Sequence, residues 1–260
     1  MKKKVFDFNS DYQKAIEFFN HFGFCIFKNI VSMKDINNVN KEISEIVNNQ
    51  SSKHLKKNQI KKNETDYLLL KLSKKNDEYR RRIYNIVQDL PSVKKISLNK
   101  NFFKIIKKLG ISIPLIKTAQ IRMDMPREKR FLIPPHQEVK NVKSNNLIFF
   151  NTALRKISKN MGAINISPGS HQLGKIIPSV NKKYNYQFIN KKIYEKNFPL
   201  TFFDINKGET LMINMLTIHG SRKNVTTNKI RWSFITRYED AKKMPYLDLN
   251  DDYKKFDLKG

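Results

Sequence analysis

The first part of the chain carries apolar residues at helical spacing. Ser10 and Gln13 have the spacing of a capping box, which predicts the start of a helix. The apolar positions of this helix lie three or four residues apart, as on one helix face: Tyr12, Ala15, Ile16, Phe19 and Phe22. Gly23 predicts the end of the helix, and the apolar run 24–28 after it predicts a short strand.

A second helix and a long loop are indicated next. Ser32 and Asp35 have the spacing of a helix start. The apolar positions that follow again repeat at helical spacing: Ile36, Val39, Ile43, Ile46 and Val47. Residues 48–66 are polar and rich in lysine and show no periodicity, so we expect an exposed loop there.

The period of the pattern changes near residue 112. Before it, helical patterns cover residues 79–90, which end before Pro91, and residues 102–109, which end at Gly110. After it come short runs rich in β-branched and aromatic residues, which predict strands at 115–125, 147–154, 162–167, 200–203, 210–215 and 230–238. Helices followed by many strands predict an α+β fold built on an antiparallel sandwich or barrel.

This order of elements suggests one domain over residues 1–260. A mainly helical part, 1–111, would pack on a β core, 112–240, and residues 241–260 would form a charged surface tail. The chain has 39% hydrophobic residues, enough for a sizeable core, and no apolar run long enough to span a membrane. The basic N-terminus lacks the apolar stretch of a signal peptide. The single cysteine, Cys25, lies in an apolar run, so we expect a reduced thiol and a cytoplasmic protein.

The net charge of +28 at first indicates a nucleic-acid-binding protein. Of the 51 basic residues, however, 41 are Lys and only 10 are Arg, and the chain also has 29 Asn. Nucleic-acid interfaces favour Arg, whose planar guanidinium binds phosphates and bases through paired hydrogen bonds. Lys, Asn, Ile and Phe all have A/T-rich codons, and the lysines are scattered along the chain. We therefore attribute the charge mainly to composition and expect no specific nucleic-acid binding.

Three residues of the strand region have the chemistry of a metal site. In an extended chain His136 and Glu138 project to the same face, because residues two apart share a side. His219, which follows an apolar strand, would complete the two-histidine, one-carboxylate set that holds iron(II) with three positions open. A histidine and a glutamate two residues apart are weak evidence for a metal site by themselves. The alternative is that His136 and Glu138 lie in a surface turn after two prolines.

Arg231 lies inside an otherwise apolar strand, where an unpaired charge is costly to bury. One explanation is that it binds a carboxylate of a small molecule through paired hydrogen bonds. The other is an internal ion pair with Asp or Glu.

In order and spacing, these motifs resemble those of the phytanoyl-CoA dioxygenase family. The resemblance covers about residues 10–240 and includes Gly23-Phe24 with the Ser-capped helix after it. It is carried further by these motifs: His136-x-Glu138, Met161-Gly162-Ala163, the run from Ser167 to Gly174, Gly208-Glu209, His219-Gly220-Ser221 and Arg231. It implies a double-stranded β-helix (jelly-roll, cupin-like) core with N-terminal and flanking helices.

The resemblance also implies an enzyme that uses Fe(II) as its cofactor and 2-oxoglutarate as its cosubstrate. His136, Glu138 and His219 would hold the metal, and no further catalytic residue is implied. Arg231 would bind the distal carboxylate of 2-oxoglutarate. The remaining residues expected at the cosubstrate are Ser221, Ser233, Asn151 and Gln120. His171 matches a turn histidine of the family and not a ligand.

The expected activity is a dioxygenase that hydroxylates a small molecule, with O2 consumed and succinate and CO2 released. The protein would be a monomer or homodimer without a membrane partner. Two departures from the family pattern leave alternatives open, because Glu138 stands where Asp is usual and Asn151 where Trp is frequent. The alternatives are a non-catalytic relative with a degenerate site and a basic nucleic-acid-binding or nucleic-acid-modifying protein.

Overall fold

A computed structural model describes residues 1–60, 64–128, 132–139, 142, 144, 146–181 and 186–244. The α-helices are α1 (Tyr12–Phe22), α2 (Met33–His54), α3 (Thr65–Lys75), α4 (Asp77–Val87), α5 (Pro91–Ser97), α6 (Lys100–Lys108) and α7 (Lys191–Tyr194). The strands are β1 (Val5–Asp7), β2 (Phe24–Lys28), β3 (Pro114–Asp124), β4 (Leu147–Ala153), β5 (Asn165–Ile166), β6 (Ser179–Asn181), β7 (Tyr186–Phe188), β8 (Thr210–Asn214), β9 (His219–Gly220) and β10 (Arg231–Asp240).

The large sheet has six strands in the order β1-β2-β8-β4-β10-β3. All its neighbours are antiparallel except β1 and β2. The α+β fold with an antiparallel core is thereby confirmed, and the architecture is that of a jelly roll.

The two faces of this sheet pack against different partners, because side chains alternate along each strand. On β10, Trp232 and Phe234 lie in one buried cluster with apolar residues of α1 to α6. Ile235 lies on the opposite face, in a second cluster with Ile166 of β5 and with Ile205. The second face therefore looks toward a smaller layer, formed by the β5–β9 pair and the segments bridged to it. Residues at odd positions of β10 face the space between the two layers.

Several predicted helix signals are confirmed. Gly23 ends α1 in the left-handed conformation with φ 74°, and the side chain of Ser32 accepts a hydrogen bond from the Asp35 backbone at the start of α2. The capping box at Ser10 is wrong. α1 begins after Asp11, whose carboxylate accepts a hydrogen bond from the backbone of Asp7 and caps no helix N–H group.

The loop predicted for residues 48–66 is also wrong in large part. α2 continues to His54, and α3 begins at Thr65. The buried face of α2 continues to Ser51, which is fully buried although it is polar. The helical pattern of apolar residues would have needed an apolar residue at this position to be recognised. α3, with Leu68, Leu69 and Leu72 buried, had not been predicted, nor had α5.

Five of the six predicted strand runs contain a strand of the structure. The sixth, 200–203, contributes only an isolated bridge between Thr201 and Ile166. The predicted tail lies outside the described residues from position 245 onward. No helix within the described part of the chain has the length and apolar character needed to cross a membrane.

Candidate metal centre

His136, Glu138 and His219 meet between the two layers of the fold. His219 opens β9 and pairs with His136 through two backbone hydrogen bonds of 2.9 and 3.0 Å. The backbone N–H of Glu138 donates to the carbonyl of Met215, 2.8 Å away, which places residue 138 beside the same segment. Main-chain hydrogen bonds alone thus join two segments that lie about 80 residues apart in the sequence.

The three side chains present their ligand atoms to one point. Oε1 of Glu138 lies 3.9 Å from Nε2 of His136 and 3.4 Å from Nε2 of His219. Ligand atoms of the three residues all lie within 4.8 Å of one another. Adjacent ligands about 2.1 Å from a metal and at right angles lie about 3 Å apart. A small contraction of this group would therefore enclose a divalent ion.

Both imidazoles are oriented by hydrogen bonds on their other nitrogen. Nδ1 of His136 donates to the carbonyl of Pro134 at 2.8 Å, and Nδ1 of His219 donates to the carbonyl of Thr217 at 2.9 Å. Because a carbonyl can only accept, each Nδ1 carries the proton, and each Nε2 offers its lone pair. This is the tautomer that a metal requires.

The charge states of Glu138 and His219 suit the same role. Burial alone would raise the pKa of the Glu138 carboxyl, but the adjacent His136 and His219 side chains and the charge of Arg237 hold that pKa well below its ordinary value. Burial lowers the pKa of His219, and the neighbouring His136 lowers it further. Near neutral pH the group therefore offers a carboxylate and a neutral His219 imidazole, as metal ligands must be.

Arg237, which the sequence analysis missed, holds the carboxylate of Glu138. Its Nε donates to Oε2 at 3.0 Å and its Nη2 to Oε1 at 2.7 Å. A signal was present in the sequence, because Arg237 lies six residues after Arg231 and so on the same face of the strand. The argument that singled out Arg231, a charge within an apolar strand, applies equally to Arg237.

Arg231 lines the cavity that contains the triad and also has an internal partner. Nε and Nη2 donate to Oδ2 of Asp124 at 2.9 and 2.6 Å, and Nη1 donates to the carbonyl of Gly162. Arg122 donates to the other oxygen of Asp124 at 2.7 Å. A guanidinium has five N–H donors, and its bonds to the described residues engage three of them. The internal ion pair and a ligand-binding role are therefore compatible.

The other residues expected at the cosubstrate lie at different distances from the triad. Ser221 and Asn151 line the same cavity as the three metal-ligand candidates. Ser233 is fully buried behind Asn151, whose amide lies 3.4 Å from its hydroxyl. Gln120 stands opposite Ile235 in the strand register and is not part of the lining. His171 lies outside the triad, with its Nε2 against the carbonyl of Asn20 at 3.0 Å.

Comparison with known proteins places this chain in a family. The family model of phytanoyl-CoA dioxygenase (PhyH) matches residues 19–232, which include all three candidate ligands and Arg231. The chain belongs to the PhyH family. The match begins within α1 and ends in β10, so it covers both the helical layer and the β core.

The fold is shared with solved structures of low sequence identity. AviO1 from Streptomyces viridochromogenes Tue57 is 15% identical with a TM-score of 0.58, and the match covers 90% of this PhyH chain and 96% of AviO1. The epimerase SnoN in complex with Fe3+, alpha-ketoglutarate and nogalamycin RO is 12% identical with a TM-score of 0.57, covering 90% and 85%. None of the curated proteins matches the sequence.

Proposed function

We propose that this PhyH-family protein is an Fe(II)- and 2-oxoglutarate-dependent dioxygenase that hydroxylates a small molecule. The observation that carries the proposal is the assembled His136, Glu138 and His219 group, with both Nε2 atoms and Oε1 directed at one point. The structural neighbour SnoN, which is described with Fe3+ and alpha-ketoglutarate, supports the choice of metal and cosubstrate.

The residues present fit these two groups. His136, Glu138 and His219 would hold iron(II), and three ligands on one side leave the remaining positions open. Arg231 would bind the distal carboxylate of 2-oxoglutarate with the N–H groups that its bonds to Asp124 and Gly162 leave over, and Ser221 and Asn151 line the same cavity. When bound, iron and 2-oxoglutarate supply the chemistry that uses O2 to oxidise a C–H bond and release succinate and CO2.

The protein's own contribution is to bind, orient and exclude water. His219 is almost completely buried, and the ring of Phe149 is stacked beside it with centroids 5.6 Å apart. Ile133, Ile164 and Ile235 add an apolar wall to the cavity. A dry wall next to the metal strengthens the electrostatic hold on charged ligands and keeps bulk water from the reacting group.

Hydroxylation is favoured over halogenation because the carboxylate ligand is present. Halogenation needs that coordination position free for a halide, whereas Glu138, whose Oε1 lies near Nε2 of both histidines, would fill it. SnoN is described as an epimerase, so the product must be identified directly. A hydroxylated product gains one oxygen atom, and an epimer keeps the mass of its substrate.

The proposal is tested by anaerobic titration of the purified protein. We expect one iron(II) per chain, and a weak visible charge-transfer band when 2-oxoglutarate is added to the iron-loaded protein. Exposure to O2 should then consume the band and release succinate. Iron binding without any band or succinate would contradict the proposed function and leave a metal-binding protein of another kind.

A further inference from the structure

The carboxylate of Glu138 is held on one edge by Arg237. Both carboxylate oxygens are engaged, Oε2 by Nε at 3.0 Å and Oε1 by Nη2 at 2.7 Å. This is the planar, two-bond arrangement in which a guanidinium binds a carboxylate most specifically. Only 12% of the Glu138 side chain and 19% of the Arg237 side chain are exposed, so water competes weakly for these bonds.

The guanidinium is itself fixed by an aromatic ring. Arg237 and Phe149 are paired across β10 and β4, and the guanidinium carbon lies 4.6 Å from the centroid of the Phe149 ring. The same ring is stacked on His219 at an interplanar angle of 22°. One side chain, Phe149, therefore packs against both a metal-ligand candidate and the arginine that holds another.

The occupied edge limits how Glu138 can bind a metal. A carboxylate that chelates a metal with both oxygens uses the lone pairs that point side by side along one edge. Arg237 takes a lone pair of each oxygen with two parallel N–H groups, which occupies that edge. Oε1 is the oxygen that lies near Nε2 of His136 and of His219, and its second lone pair remains for a metal held there.

We propose that Arg237 is a positioning residue that keeps Glu138 a ligand through one oxygen only. This inference rests on the proposed function, because it concerns the same metal. A two-oxygen carboxylate would occupy one of the three open positions that the keto acid and O2 need. The constraint matters more for Glu than for Asp, since Glu has one more rotatable bond and reaches about 1.5 Å further.

Arg237→Met is the test variant, and Arg155→Met is its control. Arg155 also pairs with a carboxylate, that of Asp66 at 2.7 Å, and also lies over an aromatic ring, that of Trp232 at 5.4 Å. It lines a separate groove that contains none of the triad residues. Each substitution therefore removes an ion pair and a contact with an aromatic ring, and only Arg237→Met touches the metal centre.

The measurement uses Co(II) as the probe, with its dissociation constant and visible spectrum recorded for the wild type and both variants. Loss of a residue that orients a metal ligand costs about 10–100-fold in metal affinity. We expect a loss of that size and an altered spectrum for Arg237→Met, and no change for Arg155→Met. Arg237→Lys should recover part of the loss, because one ammonium holds one oxygen and not two.

Three results would count against the positioning role. One is an Arg237→Met variant with the affinity and spectrum of the wild type, or with tighter Co(II) binding, since tighter binding would mean that the arginine only repels the cation. Equal losses of affinity and melting temperature in Arg237→Met and Arg155→Met would indicate a general loss of stability. A wild type that binds no Co(II) would instead refute the metal site, and with it the proposed function.

Discussion

Arg231 and Asp124 face each other across β10 and β3, with Nη2 of the arginine 2.6 Å from Oδ2 of the aspartate. The side chains are 7% and 14% exposed, so the pair is largely removed from water. Arg231 also lines the cavity of the metal centre. The same guanidinium is thus both a structural partner of β3 and the proposed anchor of 2-oxoglutarate.

These two roles separate when each partner is replaced. Arg231→Ala should weaken 2-oxoglutarate binding by on the order of a hundredfold, the effect of losing about 3 kcal/mol of charged hydrogen bonds. Asp124→Asn keeps the guanidinium and should leave most of that affinity. Both variants should unfold more easily, because breaking a buried pair costs about 3–5 kcal/mol. Titration of cosubstrate and urea unfolding check this, and equal cosubstrate affinity in Arg231→Ala and wild type would contradict the assignment.

The Asp124 carboxyl also makes the acid stability of the protein predictable. Burial would raise its pKa, but the charges of Arg231 and Arg122 lower it below the ordinary value of 3.8. A carboxyl with a lowered pKa stabilises the folded state above its unfolded pKa, and this contribution is lost as the pH falls through the folded pKa. The stability difference between wild type and Asp124→Asn should therefore shrink below about pH 4. Urea unfolding at several pH values measures it, and a constant difference down to about pH 2 would disprove the explanation.

Loss of either imidazole should abolish metal binding. His136→Ala and His219→Ala each leave two ligands, too few to hold iron(II) in competition with water. His171→Ala is the matched control, since His171 lies in the same part of the fold and contacts Asn20 instead of the triad. Iron content after anaerobic reconstitution decides the matter. Stoichiometric iron in a His136 and His219 double variant would show that the triad is wrongly assigned.

Gly23 should tolerate no side chain. Its φ of +74° already disfavours other residues, and a Cβ would collide with Oγ1 of Thr217 and lie 2.5 Å from Nδ1 of His171. We expect Gly23→Ala to lower the free energy of unfolding by about 2–4 kcal/mol. Gly110→Ala, at φ +83° but with its Cβ 3.8 Å from Nδ2 of Asn146, should lose only about 1–2 kcal/mol. Equal losses would mean that backbone strain alone accounts for both.

The charge of +28 should support only weak, unselective nucleic-acid binding. Such binding arises from counterion release and therefore falls steeply as salt is added. Fluorescence anisotropy with single- and double-stranded DNA and RNA over a range of salt concentrations is the measurement. Sequence-selective nanomolar binding that persists at about 0.2 M salt would show that the basic surface is functional.

Local patterns in the sequence were sufficient for much of this protein. The glycine end of α1, the serine cap of α2 and five of the strand runs follow from side-chain periodicity and from groups that satisfy backbone hydrogen bonds nearby. The spacing of His136 and Glu138 places both on one side of an extended segment for the same local reason. The family resemblance rested on motifs in order along the chain, and the match over residues 19–232 confirms it.

Only the tertiary structure decided which residues face one another. Ser51 is buried in α2 because neighbouring elements cover it, and its side-chain type does not signal this. Asp124 becomes the partner of Arg231, and Arg237 that of Glu138, through strand register and through contacts between segments about 100 residues apart. The alternation of hydrophobic and polar residues specifies which face of a strand is buried. The ion pairs of the site depend instead on which strands lie side by side. That choice is made by the packing of the whole chain.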